Sequence, residues 1–185
     1  CDVSTLGKID IQGREAGAFL DLAYSNTFST LAVGKTRYGL MLREDGMVMD
    51  DGTTACLGEM HYVMTTTTAN AGSVYRHLEF VRQCLRPEMD VQLISATDSW
   101  AQFAVAGPNA RRVLQELVDP QHNISNEGCP FMACGHISVC DGVPARLFRI
   151  SFSGELAYEI AVPARYGDSM IRALMAAGEP WGITP

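Results

Sequence analysis

The sequence predicts an α+β fold with largely antiparallel sheets and packed helices. Three observations predict it. Two hairpin signals, Glu44-Asp45-Gly46 and Asp141-Gly142, each lie between short β-prone runs. Single helical segments separate the strand runs, without a strictly repeating strand–helix–strand unit. No Gly-x-Gly-x-x-Gly follows any strand and no Walker A loop occurs, so the nucleotide-binding signatures of a doubly wound sheet do not appear.

Each element has its own signal. Residues 8–11 alternate polar and apolar (Lys-Ile-Asp-Ile) and stop near Gly13, a strand and a turn. Residues 14–24 carry Ala18, Leu20, Leu22 and Ala23, a short helix. Residues 38–42 and 47–49 flank the first hairpin turn, and residues 53–57 and 61–67 read as further strands. Residues 71–85 form the clearest helix. Val74, Leu78, Val81 and Leu85 recur at spacings of 4, 3 and 4 along one apolar stripe, and Pro87 closes it. Residues 91–94 and 101–105 are strands. Gly107-Pro108-Asn109 opens a helix over 110–117, with Val113, Leu114 and Leu117 inward. Residues 136–140 and 145–152 make the second hairpin, 156–162 another strand, and 166–176 the last helix.

Composition bounds the function. The 185 residues suit one compact domain or two small lobes sharing a core. The chain opens on Cys1-Asp2-Val3-Ser4 without an initiator Met, which reads as a piece of a larger polypeptide. A net charge of −7 excludes the broad basic footprint of a nucleic-acid binder. No apolar run approaches the ~20 residues of a membrane span. Lys8 and Lys35 are the only lysines, an Arg preference that reads as codon bias. Six cysteines would allow three disulfides, but a chain with 47% apolar residues needs no such staples. Cys56 and Cys84 lie in apolar patterns, where a thiol acts as a small hydrophobe. The reading is a reduced, cytoplasmic protein.

Four groups of residues bear on chemistry. Cys129, Cys134 and His136 have a metal-like spacing but no distant second pair, so no metal site is predicted and buried thiols are the alternative. Ser151-Phe152-Ser153-Gly154-Glu155 is not a Gly-x-Ser-x-Gly elbow, which argues against a serine hydrolase. At that same corner, Glu155 follows a glycine, and Phe148, Ile150 and Phe152 share one strand face by the period of two. A carboxylate beside an aromatic face suits an aminopyrimidinone ring, whose two N–H groups donate to both oxygens. The alternative is a turn glutamate in water. The run Thr65 to Thr68 makes a good strand, with hydroxyls that line either a polar pocket or a half-exposed sheet.

These residues also carry a family resemblance. Asp2-Val3-Ser4-Thr5-Leu6-Gly7-Lys8, the Tyr38 to Asp51 hairpin ending in Asp-Asp, Asn70-Ala71, Ala106-Gly107-Pro108-Asn109-Ala110 and Ser153-Gly154-Glu155-Leu156-Ala157-Tyr158-Glu159 appear in order. Together they resemble the folate-binding module of the glycine-cleavage aminomethyltransferase family. The threonine run and Gly178-Glu179-Pro180-Trp181-Gly182-Ile183-Thr184-Pro185 resemble its sarcosine oxidase branch, where the module belongs to the α subunit. The resemblance implies the fold of that folate-binding domain, tetrahydrofolate as cofactor, and a bacterial cytoplasmic oxidoreductase with other sarcosine oxidase subunits as partners. Flavin and NAD are then expected elsewhere in the complex, and the fragment alone is expected to be inactive. It implies that the family continues past Pro185 with an Arg-bearing segment and a barrel domain. It assigns Glu155 to pterin recognition, with Met41, Phe148 and Thr66 as further cofactor-binding residues. The implied chemistry is capture of the one-carbon unit of sarcosine as 5,10-methylenetetrahydrofolate, with glycine leaving. The family's Asp on the central helix, seven residues after the Asn, is replaced here by His77, which is either a proton relay or a half-exposed helix residue. A glycine-cleavage aminomethyltransferase and a non-enzymatic folate-binding scaffold for iron–sulfur assembly are the other readings.

Overall fold

The computed structural model describes residues 1–185. They form two compact units, each with its own apolar core. The N-terminal unit is residues 5–97. The C-terminal unit is residues 98–185 together with residues 1–4. Every paired strand in both is antiparallel.

The N-terminal unit runs β1 (Gly7–Gln12), α1 (Ala16–Ala23), β2 (Lys35–Leu42), β3 (Val48–Gly58), β4 (His61–Thr66), α2 (Ala71–Phe80) and β5 (Gln92–Ser95). Its sheet has the order β2-β3-β4-β1-β5. Alternation along β1 puts Ile9 and Ile11 on one face, opposite Met64 and Tyr62 of β4. These four join Phe19 and Leu20 of α1 and Val74 and Leu78 of α2 in the core. The polar members of the same alternation are also buried. Lys8 Nζ donates to the Leu6 carbonyl at 3.0 Å, and Asp10 Oδ2 pairs with His61 Nε2 at 3.1 Å.

Two expectations change here. Residues 53–57 are not a separate strand but the second half of β3. Gly52 lies mid-strand because β4 crowds it: an added Cβ would sit 2.0 Å from the Thr65 carbonyl oxygen. After Phe80 the central helix widens into a π turn, Val81–Leu85, closed by Arg86 N–H to Val81 O at 2.8 Å. Leu85, expected on the apolar stripe, is 50% exposed at the end of that turn.

The C-terminal unit runs β6 (Trp100–Ala106), α3 (Ala110–Gln115), β7 (Cys134–Val139), β8 (Val143–Phe148), β9 (Ala157–Pro163) and α4 (Gly167–Gly178). The sheet order is β6-β9-β8-β7. Its core is built on Phe103, Leu147, Tyr158 and Ile160 from the strands, with Leu114 of α3 and Leu174 of α4. Both sheet edges are covered, which removes the unpaired groups that invite aggregation. Val3 N–H bonds to Gln102 O on β6 at 2.9 Å, and Asp119 N–H bonds to Ser138 O on β7 at 3.1 Å. The β7–β8 turn is tight, with positive φ at Cys140 and Asp141 as well as Gly142. Asp119 holds it, accepting the amides of Asp141 and Gly142 at 3.0 Å each.

The second hairpin corrects one reading of the aromatic face. Residues 145–152 are not one strand, since β8 ends at Phe148. Ser151 Oγ accepts the Gly154 amide at 2.9 Å, and Gly154 takes φ +85. This local bond competes with the sheet ladder and turns the chain out of it. Phe148 and Ile150 are buried, whereas Phe152 is 107% exposed, so the three do not share a face.

Candidate functional site

The residues singled out from sequence fall into two places, one in each unit. In the N-terminal unit the Asp-Asp end of the first hairpin meets the threonine run and the start of α2. Asp50, 5% exposed, accepts the Thr67 amide at 3.1 Å, the Thr67 hydroxyl at 2.7 Å and Asn70 Nδ2 at 3.2 Å. Asn70 Nδ2 also donates to the Met49 carbonyl at 3.1 Å. Residues seventeen to twenty-one apart in sequence are thus tied into one knot. Tyr38 donates its hydroxyl to Asp51 Oδ2 at 2.8 Å, and that bond pushes the Tyr38 phenol pKa up.

All four threonine hydroxyls are engaged within the chain. Thr65 Oγ1 pairs with Thr53 Oγ1 at 3.1 Å, Thr66 donates to the Thr67 carbonyl at 3.0 Å, Thr67 donates to Asp50, and Thr68 pairs with Thr5 at 3.1 Å. Met41 is buried in the core directly opposite Asp50 across the β2–β3 ladder. Thr66, also buried, ends β4 beside Thr67. The structure therefore brings Met41 and Thr66 together around Asp50. His77 lies on α2, half-buried, and its side chain makes no hydrogen bond or ion pair with that knot.

In the C-terminal unit Glu155 stands on the exposed 151–156 corner. Ser153 Oγ donates to Glu155 Oε1 at 2.9 Å. Oε2 lies 3.8 Å from the place a Cβ on Gly107 would take. The two turns are joined by the Gly107 amide, which donates to the Leu156 carbonyl at 2.8 Å. Gly107 and Gly154 have φ of +116 and +85, the left-handed region that glycine tolerates best. Phe148 ends β8, buried between Cys134 and Glu159 in the ladder, so its ring is sealed while Glu155 is open. A carboxylate has about four acceptor positions. Ser153 takes one, and the others suit a planar ring with adjacent N–H donors.

Two further carboxylates were in the quoted motifs without a role. Asp50 is one, and its partners are too distant in sequence for spacing to show. Glu159 is the other, half-buried on β9 and bonded by Gln102 Nε2. No three His, Cys, Asp or Glu side chains gather as a metal site, and none of the six cysteines is in a disulfide. No helix is long and apolar enough to cross a membrane.

Comparison with known proteins agrees with this geometry. A family model described as "GCVT N-terminal domain" matches residues 1–185. The chain is 56% identical over 186 residues to "Sarcosine oxidase subunit alpha" of Rhizobium meliloti (strain 1021), which covers 100% of this chain and 19% of that subunit. It thus spans about a fifth of that relative's length. Among solved structures, the glycine cleavage system aminomethyltransferase T from Bartonella henselae superposes with a TM-score of 0.80 at 24% identity, covering 94% of this chain and 44% of that one. A chain of the heterotetrameric sarcosine oxidase from Corynebacterium sp. U-96, solved with pyrrole 2-carboxylate, gives 0.69 at 14% identity, covering 100% and 85%. Both likenesses establish the antiparallel α+β fold expected from the sequence.

Proposed function

Because the chain belongs to the GCVT N-terminal domain family, we propose that it is the tetrahydrofolate-binding module of a sarcosine oxidase α subunit. The observation that carries the branch is the 56% identity to such a subunit over the whole chain. It sets this reading ahead of a glycine-cleavage aminomethyltransferase. In this reading the module works within a bacterial, cytoplasmic oxidoreductase that acts on sarcosine, and its partners are the other subunits of that assembly.

Bound tetrahydrofolate supplies the amines that take up the one-carbon unit of sarcosine, giving 5,10-methylenetetrahydrofolate while glycine leaves. The residues of this chain bind and orient. Glu155 is the ring acceptor. Its open oxygens fit two adjacent N–H donors, and Ser153 fixes the carboxylate by its bond to Oε1. Gly107 leaves the space in front of Oε2 free of a side chain. Met41, Phe148 and Thr66 are buried, so their part is to shape the walls rather than to donate or accept. His77, with no partner on its ring, is the candidate to move a proton at the reacting amine. Holding two reactants together is most of such a rate enhancement.

The test is calorimetric titration of the assembled enzyme with a stable reduced folate, wild type against Glu155→Gln. Loss of the charge-assisted pair weakens binding by roughly tenfold or more. Equal affinity of the two proteins overturns the assignment of Glu155.

A further inference from the structure

Glu155 borders a pocket that the reading above leaves unassigned. The pocket has a volume of about 240 Å³ and is walled by Gly107, Pro108, Asn109, Val113, Trp181 and Ile183 among others. It begins at Gly107, the residue against which Glu155 Oε2 is placed. Its far wall is held by the end of α4. There the chain makes a tight turn, Glu179–Trp181, and Gly182 takes a left-handed φ of +73. Ile183 N–H then bonds to the Gly178 carbonyl at 3.1 Å, and its side chain packs on the core. This capped helix end fixes the indole of Trp181.

Arg112 of α3 lies over that indole, with its guanidinium carbon 4.9 Å from the ring centroid. The side chain is exposed and has no carboxylate or other hydrogen-bond partner. In a chain of net charge −7 such a cation is uncommon, since most of the other arginines bond to a carboxylate, hydroxyl or carbonyl. Stacking on an indole orients a guanidinium and leaves its N–H groups free in the ring plane direction.

We propose that Arg112, held on Trp181, is a second binding point for the ligand of Glu155, and that it takes the carboxylate end. The pocket between them then takes the flat aromatic segment that joins ring and carboxylate. A reduced folate has this order of groups: an aminopyrimidinone ring, an aminobenzoyl linker and a glutamate tail. The proposal rests on the reading that Glu155 holds the ring, and it gives the anionic tail a partner within this chain.

The experiment titrates the assembled enzyme with two probes, tetrahydrofolate and the tail-less tetrahydropterin. Arg112→Gln is expected to weaken tetrahydrofolate about tenfold and to leave tetrahydropterin unchanged. Glu155→Gln is expected to weaken both. Arg112→Lys keeps the charge and loses the fork, so it is expected to recover only part of the affinity. Salt should weaken wild-type binding of tetrahydrofolate more than that of tetrahydropterin, a readout that needs no variant. Tetrahydrofolate affinity within twofold of wild type in Arg112→Gln overturns the subsite, as does an equal loss for both probes. A selective Arg112 effect with no Glu155 effect keeps the anion subsite and removes the ring assignment. No binding of either probe to the wild-type enzyme overturns both.

Discussion

The two units treat their motif residues in opposite ways. In the N-terminal unit the polar residues turn on one another. Asp50 takes three donors, and every hydroxyl of the threonine run is engaged. In the C-terminal unit the corner residues face out, with Glu155 bonded only by Ser153 and Phe152 in solvent. Similar residue types, an acid among hydroxyls and glycines, therefore build scaffold in one unit and display an acceptor in the other. The largest expected effect follows from the scaffold side. Asp50→Ala leaves the Thr67 amide and the Asn70 side chain unanswered in a buried setting, at a cost of about 3 kcal/mol. Urea unfolding of the variant measures it. A loss under about 1 kcal/mol would mean that the knot is ornamental and the contrast false.

A test within the C-terminal unit sharpens the same comparison. The β7–β8 turn is held in the N-terminal manner, by a carboxylate with several donors. The Ser138 hydroxyl, then the Asp141 and Gly142 amides and nearby His122, keep the Asp119 carboxyl below the usual range against the cost of desolvation. A depressed folded pKa stabilises the native state above the unfolded value. That contribution is lost as pH falls through the folded value. The expected window is therefore below about pH 4. Thermal unfolding between pH 2 and 6 should show wild type losing stability on acidification more steeply than Asp119→Asn. Parallel curves would show that the turn does not depend on the charge.

The strands, helices and hairpins were legible because their signals are local. Period-two alternation, the apolar stripe of α2 and the two Asp-Gly turns each act within a few residues. What was not legible depends on neighbours far away in sequence. Gly52 looked like the end of a strand, although it is there to let β4 approach. Asp50 and Asn70 stood in quoted motifs, yet their mutual bond spans twenty residues. The aromatic face failed for a local reason that a simple alternation ignores. Ser151 and Gly154 form their own turn, so the period stops at Phe148 and the chain leaves the sheet. Glu155 was marked by its place after a glycine, but the Gly107 turn beside it is visible only in the fold.

The smallest expected effect is the one that isolates the corner. Phe152 is more exposed than almost any residue of its size in a folded chain, and its ring is outside the apolar core. Replacing it by Ser removes no buried area, so the transfer contribution to stability is absent. The Ser151–Gly154 bond that sets the turn uses a side chain and an amide that Phe152→Ser leaves in place. Unfolding free energy of the variant should lie within about 0.5 kcal/mol of wild type. The same holds for Glu155→Gln, whose carboxylate has one hydroxyl partner and water. A ligand-affinity loss in Glu155→Gln at unchanged stability would then belong to the site and not to the fold. A loss above about 1 kcal/mol in Phe152→Ser would show the corner packed like the Asp50 knot, and the division between scaffold and display would fall with it.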